Sequence, residues 1–230
     1  MIASAKSILA CLAVWWSVSA SQAHAEIVLS QVIIDLQPER ADYQDIEIWN
    51  AGSERAFVQI EPSEILKPGH PDEQRVPITD PEQAGLLVSP QRLVLEADER
   101  RVIRFAAIAP RSARERIYRV AVRPVAAPQE SEASGLKVLL GYDLLVLFRP
   151  AKLEGEVTAV RRGERIEFTN NSNFAQEIYD GKQCSSQGDP CVNLPATRLY
   201  PGASWSITLP YPTEAEIMMT AGTTPVRKKL

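Results

Sequence analysis

The segment covering residues 86–128 limits most tightly what this chain can fold into. Within it, Val102, Arg104 and Ala106 alternate with Ile103, Phe105 and Ala107. That period of two turns one face to a core and the other to water. Turn residues punctuate it at Ser89-Pro90 and Ala97-Asp98-Glu99, and a proline-bounded crossing leads into a long strand over residues 117–125. Short alternating runs separated by regular turns describe an antiparallel sandwich. Helical periodicity is almost absent elsewhere, so the predicted class is all-β.

The first 25 residues stand apart from this pattern. A short basic start ending at Lys6 precedes an apolar run over residues 8–18, and Ala23-His24-Ala25 supplies a small-residue cleavage site. This is the layout of a signal peptide, with the mature chain starting at Glu26. The apolar run is shorter than the roughly 20 residues that span a bilayer, and no later run is long enough either, so no membrane insertion is expected. The expected location is the periplasm, after export with a cleaved signal.

Roughly 205 residues then remain, enough for two sandwiches of about 100 residues each. Strands are expected over residues 26–36, 45–49 and from 57, followed by a polar, proline-rich surface loop over 67–83. After a flexible acidic stretch at 128–135 comes the longest apolar run of the mature chain, residues 136–148, read as one long strand that ends at Phe148-Arg149-Pro150. Proline ends strand pairing there and marks a hinge. Beyond it, short strands are expected over residues 157–160, 165–170, 176–179, 204–209 and 216–220. The terminal Arg227-Lys228-Lys229 run reads as a solvated tail.

Chemistry is sparse. The only mature histidine, His70, sits in a Pro-Gly loop, which leaves no Ser-His-Asp or Cys-His set. There is no phosphate-binding glycine loop and no histidine-based metal spacing, so neither enzymatic activity, a cofactor nor a metal is expected. A formal net charge of −4 with scattered charges gives no footprint for nucleic acid. Cys184 and Cys191 flank a turn-rich loop in a chain bound for an oxidising compartment, and are expected to form a disulfide.

The order of these elements resembles the periplasmic pilus-assembly chaperones of the PapD type, most strongly over residues 86–150, and looks like a divergent branch of that family. The resemblance implies two immunoglobulin-like β-sandwich domains arranged at an angle, residues 26–150 and 151–230. It implies a chaperone that stabilises unassembled pilus or surface-fibre subunits by lending a strand and passes them to an outer-membrane usher. A secreted structural or adhesive immunoglobulin-like protein is the alternative. Lent residues would be Leu136, Val138, Leu140 and Tyr142, while Leu144 and the residues up to Phe148 would be core. By the same resemblance Glu115 and Arg149 form an ion pair at the domain junction, with the family's third acidic partner falling on Thr220. Two family cations that grip the subunit's terminal carboxylate fall on Gln31 and Leu145, which cannot do so. Either Arg101, Arg104, Arg119 or Arg123 anchors that end, or the partner differs from a typical pilin.

Overall fold

Alternation at the start of the mature chain builds two strands in place of the single one expected. In a computed structural model, which describes residues 27–125, 139–221 and 224–230, β1 (Ile27–Leu29) and β2 (Ile33–Leu36) lie in different sheets. The chain switches sheets at Ser30-Gln31-Val32, and both pieces still bury apolar side chains: Ile27 and Leu29 from one wall, Ile34 and Leu36 from the other. β1 pairs antiparallel with β3 (Tyr43–Asn50), whereas β2 runs parallel to β10 (Tyr142–Phe148).

The first sheet continues from β3 to β8 (Arg100–Ala107) and β6 (Leu86–Ser89). The second runs β2-β10 and then β9 (Arg116–Val125), β4 (Ala56–Leu66) and β5 (Gln74–Pro77), with β7 (Arg92–Leu95) on the other end of β4. Ile103 and Phe105 are fully buried between these walls while Val102 and Arg104 face out, as the alternation requires. Residues 67–83 are more ordered than a loop. They hold β5 and a one-turn helix, α1 (Pro81–Ala84), which Asp80 caps by accepting from the Glu82 and Gln83 amides. All four residues of β5 are exposed, so no apolar pattern betrays this edge strand.

Tyr118 joins the helix to the core: its buried hydroxyl donates to the Ala84 carbonyl at 2.5 Å. Tyr118→Phe removes the donor and leaves that carbonyl buried without a partner, a loss of about 1–2 kcal/mol. Urea unfolding should show the lower midpoint; an unchanged midpoint would mean that the bond adds nothing.

The second domain follows the same two-layer plan. One sheet contains β11 (Val157–Arg162), β12 (Arg165–Asn170) and β16 (Ser204–Thr208). The other orders β14 (Cys191–Leu194), β13 (Gln176–Cys184), β17 (Ala215–Ala221) and β18 (Thr224–Lys229), with β15 (Thr197–Leu199) also on β13. Phe168, Ile178, Ile207 and Ile217 meet between the sheets. β13 runs well past the expected end at Tyr179, because a register shift between Tyr179 and Lys182 breaks its alternation. The supposed basic tail is the edge strand β18, whose Arg227 and Lys229 both pair with Glu216. Charged edge strands of this kind resist further pairing.

A local device appears in both domains. Asn50, ending β3, donates to the Glu54, Leu95 and Glu96 carbonyls and accepts from the Gly52 amide. Asn170, ending β12, donates to the Phe174 and Leu199 carbonyls and accepts from the Ser172 amide. Each is fully buried, and each ties a strand end to the turn that follows it and to a neighbouring chain segment.

Candidate functional site

Strand β10 is covered unequally on its two sides. β9 pairs with it from Tyr142 to Phe148, but β2 reaches only from Leu145 to Phe148. Among the described residues, the edge from Tyr142 to Leu144 therefore has no strand opposite β9. Just before it Leu140 is 55% exposed. Gly141 passes so close to β9 that a Cβ there would lie 2.9 Å from the Val122 carbonyl oxygen, a contact that only glycine avoids. Leu136 and Val138 lie outside the described residues.

Below this open stretch the strand is core on both faces. Leu144, Val146 and Phe148 enter the first sandwich, and Tyr142 follows them, packing on the same cluster while its hydroxyl donates to the Ile27 carbonyl at 3.0 Å. Tyr142 thus packs on its own domain. On the other face Leu145 and Leu147 meet Ile65 and Ile117 under Tyr200 of the second domain. That cluster is an apolar link between the domains.

The neighbour of Leu145 on β2 is Ile33, 45% exposed; Gln31 lies back in the sheet switch. An aliphatic pair therefore lines the β2–β10 seam. Of the four arginines singled out from sequence, Arg119 alone is the strand neighbour of Leu145, and it donates to the Asp143 carbonyl at 3.4 Å. Arg123 is paired with Glu61 on the same sheet. Arg101 and Arg104 stand on β8 in the opposite sheet, bound to Glu99 and Asp45; the fold does not bring them to the seam.

A cavity of about 210 Å³ opens between the domains, lined by Ile33, Asp35, Leu147 and Arg149 on one side and by Phe174, Glu177, Arg198 and Thr220 on the other. Arg198 pairs with Glu177 through Nη2, while its buried Nη1 has no hydrogen-bond partner among the described residues. It belongs to β15, a three-residue strand without readable alternation, so nothing in the sequence pointed to it.

At the junction itself Arg149 is held from several directions. Its Nε and Nη2 donate to Asp35 at 2.8 and 3.1 Å, and its Nη1 donates to the Ala175 carbonyl at 2.9 Å. Glu115 Oε1 lies 2.8 Å from the same Nη1, out of line for a hydrogen bond, and Glu115 Oε2 accepts from the Ala175 amide at 2.6 Å. Asp35 and Glu115 both belong to the first domain, and Arg149 and Glu115 reach the second through the main chain of Ala175. Thr220 accepts from the Glu177 amide and adds no charge. Burial drives the Glu115 carboxyl up to about 7, because the attraction of Arg149 and the Ala175 bond offset only part of the desolvation.

This arrangement suits recognition: an open strand edge, an apolar seam and a cleft with an unsatisfied guanidinium. Among the described residues no group of histidine, cysteine and carboxylate side chains could hold a metal ion, and no helix is long and apolar enough to cross a membrane.

Comparison with known proteins gives the arrangement a context. Residues 26–154 match the family described as pili and flagellar-assembly chaperone, PapD N-terminal domain. No curated protein matches in sequence. Among solved structures, the class 5 fimbriae chaperone CfaA is 21% identical with a TM-score of 0.64, covering 88% of this chain and 98% of its own. A Salmonella enterica SafA pilin complex with the SafB chaperone gives 17% identity and a TM-score of 0.61, covering 91% and 99%. A CsuC–CsuE chaperone–tip adhesion subunit complex from Acinetobacter baumannii gives 12% and 0.57, covering 89% and 98%.

Proposed function

Because this chain belongs to the PapD-type pili and flagellar-assembly chaperone family, we propose that it binds unassembled pilus or surface-fibre subunits in the periplasm, lends them a strand and delivers them to an outer-membrane usher. The open edge of β10 beside the exposed Leu140 carries this reading. A subunit lacking one strand exposes both core and edge, and a borrowed strand covers both at once. Leu136, Val138 and Leu140, spaced by two, are the side chains lent. The chain works as two units, residues 26–150 and 151–230, after removal of residues 1–25.

The subunit's terminal carboxylate lies in the cleft between Arg119 and Arg198. The first adjoins the seam and the second offers a donor that nothing among the described residues uses. A charge-assisted bond to each replaces the cations missing at Gln31 and Leu145.

Co-expression with a fibre subunit tests the reading. Val138→Glu puts an unpaired charge into the subunit's apolar groove and should abolish recovery of the one-to-one complex while the free chaperone unfolds as before. Leu140→Glu should do the same, and Arg119→Glu combined with Arg198→Glu should weaken recovery at least tenfold. Survival of the complex in Val138→Glu and Leu140→Glu would refute strand lending.

A further inference from the structure

The disulfide of the second domain lies at the edge of its sheet. Cys184 and Cys191 face each other directly across the β13–β14 ribbon. Among the described residues β14 is an edge strand paired only with β13, and Leu194 is its one buried side chain. The bridge therefore holds a strand that contributes little to the core. Cys191 is the exposed end of the bridge and Cys184 the half-buried one. Beside the bridge lies an open groove of about 520 Å³ lined by Lys182, Cys184, Ser185, Thr213, Glu214 and Glu216. Lys182 is two residues from Cys184 on the same strand and shares that groove. Its ammonium favours a thiolate over a thiol, against the two carboxylates, Glu214 and Glu216, that share the groove.

We propose that this bridge is a thiol–disulfide exchange site for a protein dithiol of the Cys-X-X-Cys class, and that its redox state decides whether the β13 edge is closed by β14 or open. A thiolate of the dithiol attacks Sγ of Cys191, forming a mixed disulfide and expelling Cys184 as a thiolate beside Lys182. The second thiol of the partner then attacks the mixed disulfide. The partner leaves oxidised, and this chain keeps two thiols once Cys184 takes a proton from water. Without the clasp, β14 separates from Lys182 and Gln183, exposing main-chain groups that can pair with another strand.

The folded, full-length protein is incubated with reduced thioredoxin as the dithiol, then alkylated and analysed by mass spectrometry, with hydrogen exchange followed in parallel. Complete reduction under native conditions is expected, with exchange at residues 185–194 at least tenfold faster and the first domain unchanged. The double variant Cys184→Ser and Cys191→Ser should show the same local exchange without any reductant. Lys182→Gln should slow reduction several-fold and leave the unfolding midpoint in place. Resistance to reduction until denaturant is added would overturn the proposal, as would exchange that accelerates throughout the second domain, since the bridge would then be a structural staple.

Discussion

Arg149→Ala is expected to lower the stability of the protein by about 3–5 kcal/mol, the loss typical when one partner of a buried pair is removed. The change strips Asp35 of two hydrogen bonds and Ala175 of one, and it leaves the fully buried Glu115 carboxylate without its counter-charge. Lysine restores the charge but not the forked geometry that reaches Asp35 and Ala175 together, so Arg149→Lys should fall between the two. Adding Glu115→Gln to Arg149→Ala should recover part of the loss at alkaline pH, where the carboxyl would otherwise have to ionise without its partner. Thermal and urea unfolding of the four proteins give the answer. A wild-type midpoint for Arg149→Ala would show that the junction does not depend on this side chain.

The same carboxyl makes the junction respond to pH. Glu115 faces Arg149, the Ala175 amide, Asp35 and Arg198, and burial outweighs the favourable charges, raising it from 4.5 to about 7. The folded state therefore holds this proton more tightly than the unfolded chain does. Its contribution to stability is complete below about pH 4.5 and is lost as pH rises through 7, a change on the order of 3 kcal/mol. Glu115→Gln keeps an oxygen for the Ala175 amide and has no proton to lose. Between pH 5 and 8 the wild type should lose stability relative to this variant. Parallel curves across that range would mean that Glu115 is ionised throughout.

Much of this architecture could be read from the chain wherever one face of a strand is buried. Ile103 and Phe105 announced β8, and Ile166 and Phe168 announced β12 with its observed limits. The readings failed where pairing leaves no trace in the side chains. β5 is exposed throughout, β13 loses its alternation at the register shift, and β14 buries a single residue. The turns at Asn50 and Asn170 were legible, but the bonds their side chains make were hidden, because a buried asparagine that satisfies main-chain groups has the same letter as one in water. At the junction Glu115 and Arg149 were legible as a pair, while Asp35 was not, since its role depends on β2 having crossed to the second sheet. Arg198 became visible only once β15 was placed against Glu177.

The division of the first segment into β1 and β2 also bears on the order in which the protein assembles. β1 finds β3 after a short loop, so their pairing can form as soon as both are present. β2 must wait for β10, because Ile33 meets Leu145 across nearly the whole of the first domain. Closing a longer loop costs more chain entropy, and distant pairings slow folding. The β2–β10 seam is therefore the last part of the first sandwich to zip. Until it does, the edge of β10 opposite β9 is bare along its entire length, and two copies caught at that moment could pair through it as readily as one copy with a subunit. Anything that delays the seam, such as a slower turn at Ser30-Gln31-Val32, should show itself first as self-association during refolding, before any loss in the stability of the finished protein.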